Sequence, residues 1–144
     1  MNFPALPLRS IVWVLSIGML LLAPAICRAV DLSGCWSGTW QSCVTGHRGP
    51  LHAEFVRMDA NRYEVFLDGR FFKIMPFRYS VVMTASEQDG VVYLSGSQYL
   101  GRMFGTFSFS AAATDSRFDA NYSSCKDNGV FKLCRCSHVP VCDN

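Results

Sequence analysis

Beyond about the thirtieth residue, the chain consists of short runs in which apolar and polar residues alternate, separated by clusters of turn-forming residues. Alternation with a period of two places the apolar side chains on one face of a β-strand. Several short strands at even spacing are typical of an all-β sandwich or barrel. The pattern predicts eight strands, over Gly34–Cys43, Leu51–Arg57, Arg62–Phe72, Met75–Ala85, Val91–Gln98, Met103–Ala112, Arg117–Cys125 and Val130–Cys136.

The connections between these strands are short, which favours a meander of antiparallel neighbours. The strongest hairpin signal is Asn128-Gly129, because a primed turn needs a positive φ at both central residues. If the eight strands close on themselves, the first and the last become antiparallel neighbours. We therefore predict an all-β fold, a single eight-stranded antiparallel up-and-down barrel.

The start of the chain differs from the rest. Ile11–Leu22 is an uncharged apolar stretch that follows a short segment with one positive charge, and Pro24 and small residues come after it. The stretch is shorter than the roughly 20 residues that span a bilayer, so we predict a signal peptide over residues 1–29, cut after Ala29. The alternative is an uncleaved membrane anchor over Ile11–Cys27. Residues 30–144 then form one β-barrel domain with a short C-terminal tail.

Removal of the predicted leader also changes the charge. The basic residues fall from 13 to 11, because Arg9 and Arg28 are lost, and equal the 11 acidic residues. Nucleic-acid binding needs clustered cations, and the sequence has no block of Lys and Arg. We therefore expect no nucleic-acid partner, and no stable membrane insertion of the mature domain.

Seven cysteines are present, and Cys27 lies in the predicted leader. The six that remain predict disulfides and thus export to the periplasm or the cell exterior. Pairing Cys35 with Cys134 across the closing strands places residue 126 opposite Cys43, next to Cys125. The predicted pairs are Cys43–Cys125, Cys35–Cys134 and Cys136–Cys142, and the main alternative exchanges Cys134 with Cys136.

The segment Gly34-Cys35-Trp36 in the first strand and Arg135 in the last strand together resemble the calycin pattern of lipocalins and avidins. In that pattern an early tryptophan packs under a late arginine at the closed end of a barrel. The resemblance implies that Trp36 and Arg135 close the barrel, with Arg135 opposite Trp36.

A longer resemblance covers nearly all of the predicted mature region. The segments WSGTWQSCVTGHRGPLHAEF, YEVFLDGRFFKIMPFRY, LSGSQYLGRMFGTFSFSAAATDSRFDANYSS and DNGVFKLCR resemble a family of uncharacterised exported proteins from planctomycete-type bacteria. This resemblance implies kinship and no particular activity.

The sequence offers little catalytic chemistry. It contains no GxSxG elbow, no HExxH motif, no phosphate-binding glycine loop and no CxxC pair. His47, His52 and Glu54 come nearest to a metal-ligand set, but loop histidines are usually only solvated. We predict no catalytic residues, no metal site and no cofactor, and hence a protein that is not an enzyme.

The predicted inner face carries many large rings, which favours a barrel filled by its own side chains. The leading hypothesis is an exported, disulfide-linked β-barrel with a structural or binding role. One alternative is a calycin-like carrier of a small apolar ligand, held between Trp40, Phe55, Tyr79 and Tyr122. Another is an enzyme accessory or inhibitor that presents loops such as Thr45–Pro50.

Overall fold

The computed structural model describes residues 29–71 and 74–136. Eight antiparallel strands follow one another in sequence order around a closed barrel, which confirms the predicted fold. The elements are β1 (Gly34–Ser42), β2 (Arg48–Arg57), β3 (Arg62–Phe71), β4 (Met75–Gln88), β5 (Val91–Tyr99), α1 (Gly101–Phe104), β6 (Thr106–Ala113), β7 (Arg117–Ser123) and β8 (Asn128–Arg135). The predicted signal peptide lies outside the described residues, apart from Ala29.

Two local predictions were wrong. The sixth strand begins at Thr106 and not at Met103, because the short helix α1 precedes it between two glycines of positive φ, Gly101 and Gly105. The primed turn occurs at Asp89-Gly90, where both residues have a positive φ. Asn128 and Gly129 instead belong to β8, because the preceding turn is already closed by a hydrogen bond from the Ser124 N–H to the Asp127 carbonyl oxygen.

The pairing of β1 with β8 closes the barrel. Trp36 lies opposite Arg135 and Trp40 opposite Phe131, so the register brings Cys35 next to Cys136. These two cysteines form a disulfide, and the Cys136 N–H donates to the Cys35 carbonyl oxygen. A disulfide indicates an oxidising location outside the cytoplasm.

The predicted disulfide pairs need correction. Cys134 faces Ser37 and not Cys35, because the register is shifted by two residues from the one assumed, and the exchange of Cys134 with Cys136 gives the observed bridge. Since Cys136 bonds to Cys35, the predicted Cys136–Cys142 pair is wrong as well. Cys134 is also disulfide-bonded.

Cys43 and Cys125 are free and exposed, so the predicted bridge between them is wrong. The observed register brings the Cys43 N–H to the carbonyl oxygen of Asn128, at 2.7 Å. Cys125 lies further along, in the turn that joins β7 to β8, and therefore does not face Cys43.

Alternate connections lie at opposite ends of an up-and-down barrel. We call one end the mouth, formed by the connections 43–47, 100–105 and 124–127 together with Ile74, which precedes β4. We call the other end the base, formed by the connections 58–61, 89–90 and 114–116 together with residues 29–33.

The base is filled by side chains. Leu32 and Trp36 are fully buried there, and the Trp36 Nε1–H donates to the Leu32 carbonyl oxygen at 2.9 Å. Phe55 and Phe118 pack against Trp36, with ring centroids 5.6 and 6.4 Å from it. The Arg135 guanidinium lies 4.6 Å from the centre of the Trp36 ring and donates to the Ser33 carbonyl oxygen. Trp36 and Arg135, the two residues that the calycin resemblance assigns to barrel closure, therefore face each other at the base.

We expect the Cys35–Cys136 bridge to contribute strongly to stability, because it joins residues 101 positions apart. A crosslink over such a long loop restricts the unfolded chain, so the double variant Cys35→Ala/Cys136→Ala should lose about 2–5 kcal/mol of unfolding free energy. Urea denaturation followed by circular dichroism measures this loss. Cys43→Ala is the control, since an exposed free cysteine should change stability by less than about 0.5 kcal/mol. Equal effects of the two changes would contradict this expectation.

Asp31 makes the stability of the base dependent on pH. Hydrogen bonds from the Ser33 N–H and hydroxyl, and to a lesser extent from Arg57, lower the pKa of Asp31 to about 2. Because this pKa is depressed in the folded state, the stabilisation is complete above about pH 4 and is lost as the pH falls towards 2. We therefore expect Asp31→Asn to be less stable than the unchanged protein at pH 6, with a smaller difference at pH 2. Urea unfolding at both pH values tests this, and a difference independent of pH would count against it.

Candidate functional site

A cavity of about 700 Å³ opens at the mouth of the barrel. This volume is in the range of cavities that bind small molecules. Its lining is Trp40, Thr45, Phe71, Phe77, Arg78, Tyr79, Leu100, Met103, Phe104, Phe107, Tyr122, Lys126, Asp127 and Phe131. The expectation of a filled barrel therefore holds for the base and is wrong for the mouth.

Glycines in the wall leave room for this cavity. At three of them an added Cβ would lie within 3 Å of an inward ring: Gly49 beside Trp40, Gly69 beside Phe77 and Gly129 beside Tyr122. At Gly69 the Cβ would come within 2.4 Å of the Phe77 Cζ atom. The rings therefore lie directly against the backbone of neighbouring strands instead of crossing the lumen.

Rings of β4, β6 and β7 form a continuous series, which we call the aromatic wall. All of its members except Phe109 line the cavity. Phe77 and Tyr79 stack at 25°, and Tyr79 stacks on Phe109 at 29°. The series continues from Phe109 to Phe107 at 26° and from Phe107 to Tyr122 at 29°. Because successive rings are close to parallel, this wall suits a flat apolar molecule that packs against ring faces.

A small polar network lies at the rim of the cavity. The Tyr122 hydroxyl donates to Asp127 Oδ2 at 3.0 Å, and the Ser42 hydroxyl donates to Asp127 Oδ1 at 2.7 Å. The Thr45 N–H in turn donates to Ser42 Oγ. Burial, together with the hydrogen bond to Asp127, raises the pKa of Tyr122. Its hydroxyl therefore stays protonated and continues to donate to Asp127.

The Tyr79 hydroxyl has a different environment. No hydrogen bond joins it to any described residue, although the side chain lines the cavity. Burial raises the pKa of Tyr79, and the neighbouring Tyr122 raises it further, so the hydroxyl stays neutral. It is thus available to exchange one hydrogen bond with a bound molecule.

Of the four residues predicted to contact a ligand, Trp40, Tyr79 and Tyr122 line the cavity and Phe55 does not. Phe55 faces inward as predicted but pairs with Gly34 near the base, where it packs against Phe118. Strand alternation predicts which face a residue occupies, whereas its height along the barrel depends on register. Sequence reasoning missed several lining residues, namely Phe71, Phe104, Phe107 and Phe131. For Phe107 and Phe131, the alternation of apolar and polar residues in the sequence already predicts an inward-facing side chain. Counting residues from the nearest turn would also have predicted that they lie near the mouth.

The remaining candidate residues lie apart from this cavity. His52 and Glu54 lie on the exposed face of β2, and the His47 ring interacts with Thr45 Oγ1 in the β1–β2 connection. Within the described ranges 29–71 and 74–136, no group of three His, Cys, Asp or Glu side chains is arranged to hold a metal ion. In the same ranges, no helix has the length and apolar character needed to cross a membrane.

Comparison with known proteins identifies no relative of this chain. No model of a known protein family matches the chain, and neither a curated protein nor a solved structure matches it. The two resemblances drawn from the sequence therefore stay predictions.

We expect Gly69→Ala to reduce the cavity, because its Cβ would push the Phe77 ring inward. The displaced ring would take space that a probe filling the cavity needs, so binding should weaken by about tenfold, which corresponds to about 1.4 kcal/mol of binding free energy. Titration with the uncharged fluorescent probe N-phenyl-1-naphthylamine measures the affinity.

The second-site variant Gly69→Ala/Phe77→Leu is the matched control for this change, because leucine lacks the ring atoms that the new Cβ would meet. It should regain much of the lost affinity. If Gly69→Ala binds the probe as well as the unchanged protein does, the glycine does not determine the cavity.

Proposed function

We propose that this protein is an exported, calycin-like binding protein for one small and largely apolar molecule, which occupies the cavity at the mouth. The observation that carries this proposal is the contrast between the two halves of one barrel. The base is packed with side chains, whereas the mouth retains a cavity of about 700 Å³ lined mainly by rings. A concave apolar site with a few polar groups is the usual form of a small-molecule site.

The exposure of the rings supports the proposal. Phe71, Phe77, Tyr79 and Phe107 are only partly buried, whereas the rings of Trp36 and Phe55 at the base are almost completely buried. Burial of apolar surface contributes about 25 cal/mol for each Å² removed from water. An apolar molecule in the cavity would cover the ring faces that the protein itself leaves accessible.

The polar groups narrow the chemistry of the ligand. The wall of near-parallel rings favours a flat ring system or a conjugated chain, and the Tyr79 hydroxyl offers one hydrogen bond. Trp40 Nε1 already donates to the Arg70 carbonyl oxygen, and Tyr122 already donates to Asp127. The favoured ligand is therefore a flat apolar molecule with one hydroxyl or carbonyl group. Support for export comes from the Cys35–Cys136 disulfide, which forms in oxidising compartments.

Fluorescence titration with N-phenyl-1-naphthylamine tests the proposal. We expect a saturable increase that corresponds to one probe per chain, because the cavity is large enough for one such molecule. Phe107→Glu places a carboxylate in the lining and should abolish the saturable signal, since burying a charge without a partner is costly.

Phe66→Glu is the matched control, because Phe66 lies on the outer face of β3 and does not line this cavity. It should bind the probe like the unchanged protein, and circular dichroism should show that both variants are folded. A signal that fails to saturate, or one that Phe107→Glu leaves intact, would contradict a binding role and favour a structural one.

A further inference from the structure

The most exposed large apolar side chains of the described residues lie at the mouth. Among the described large apolar residues, the five most exposed are between 58% and 83% accessible. They are Val44, Ile74, Met75, Tyr99 and Met103. All five belong to mouth connections or to the strand ends beside them, so they project from the same end of the barrel.

Three of these side chains come from separate connections that are not neighbours in sequence, and Met75 and Tyr99 end the strands beside them. Val44 belongs to the β1–β2 connection, Ile74 to the β3–β4 connection and Met103 to α1 between β5 and β6. Around a closed barrel these three connections are distributed along the rim. The five exposed side chains, which we call the apolar tips, are spread over one end of the barrel. They therefore form a broad surface and not a single narrow groove.

Cations without an acidic partner surround the same rim. Arg48, Arg70, Arg102 and Lys126 are exposed, and among the described residues none of them forms an ion pair. Lys126 Nζ donates to the Met103 carbonyl oxygen, which keeps this charge beside α1. Asp127, the one acidic residue in the described mouth connections, accepts hydrogen bonds from Ser42 and Tyr122. With four cations against this one carboxylate, the mouth combines net positive charge with exposed apolar side chains.

The base differs, although in the described part of the chain it holds one cation without an ion pair, Arg135, whose guanidinium lies over the Trp36 ring. Of the four ion pairs among the described residues, three lie there, and they join Arg57 to Asp31, Arg62 to Asp59 and Arg117 to Asp119. Asp89 and Asp115 lie in the turns of the base and add negative charge. The barrel is therefore polarised along its axis, although its acidic and basic residues are nearly balanced in number.

We propose that the mouth docks on the surface of an anionic lipid membrane, with the apolar tips between the headgroups and the cations against the lipid phosphates. Interfacial binding of this kind needs apolar side chains backed by positive charge, which is the combination at the mouth. Nucleic acid offers no apolar layer for Ile74 and Val44 to enter. This proposal goes beyond the binding of a ligand, because it concerns side chains that project outward from the rim, of which only Met103 and Lys126 also line the cavity.

Hydrogen exchange measured by mass spectrometry tests the docking on the full chain, because it reports each segment separately. Vesicles of equal parts phosphatidylglycerol and phosphatidylcholine should slow exchange in the mouth connections 43–47 and 100–105. The base connections 58–61 and 114–116 should exchange unchanged. Vesicles of phosphatidylcholine alone, or added salt, should weaken the protection, because salt screens the attraction of exposed charges.

A matched pair of double variants tests the contribution of the exposed apolar side chains to docking. Val44→Ser/Ile74→Ser removes two apolar tips that do not line the cavity, and it should abolish the protection of the mouth. Val56→Ser/Met58→Ser removes two exposed apolar side chains near the base and should leave the protection intact. Neither double variant should alter binding of N-phenyl-1-naphthylamine, so failure of docking and failure of ligand binding give different results.

A second pair of variants tests the contribution of positive charge at the mouth to docking. Arg102→Gln should raise the anionic lipid concentration for half-maximal protection about fivefold, as expected for one basic residue at a membrane surface. Lys132→Gln, on the exposed face in the middle of β8, should cause no such change. Exchange that vesicles leave unaltered, protection of the base equal to that of the mouth, or insensitivity to Val44→Ser/Ile74→Ser would overturn the proposal.

Discussion

The pairing of β1 with β8 is the constraint on which the rest of the structure depends. An open sheet of eight strands would have two unpaired edges, and closure removes both. The register between β1 and β8 places Trp36 opposite Arg135 at the base and Trp40 opposite Phe131 near the mouth. The same register brings Cys35 to Cys136, so the disulfide covalently joins the two strands that close the barrel.

Closure divides the interior into two unequal halves. At the base, Leu32 and Trp36 fill the lumen, and Arg135 covers the Trp36 ring. The Arg135 guanidinium also donates hydrogen bonds to carbonyl oxygens of the segment that precedes β1. At the mouth, wall glycines such as Gly69 let the rings lie against the strands, and the space between them remains open. The base thus supplies buried apolar area for stability, and the ring surface at the mouth is left accessible for a ligand.

The polarity of the outer surface follows the same axis. Near the base Asp31, Asp59 and Asp119 are held in ion pairs, and Asp89 and Asp115 add negative charge. At the mouth, cations such as Arg48 and Arg102 have no acidic partner among the described residues. Exposed apolar tips occur at the same end as these cations. A cavity that opens through such a rim places the proposed ligand site and the proposed membrane contact at one end of the molecule.

The sequence by itself determined the strands, their inward faces and the closed antiparallel order, because alternation and turn residues are local signals that depend on side-chain geometry. It also placed Trp40, Tyr79 and Tyr122 on the inside correctly. Only the tertiary structure decided that Phe55 lies at the base, that Cys35 bonds to Cys136, and that Cys43 and Cys125 stay apart. These facts depend on the register between strands far apart in the chain, and a shift of two residues keeps every side chain on its face while it changes every partner. The cavity and the polarised rim likewise arise from residues on different strands and connections, and only closure of the barrel brings them to one end.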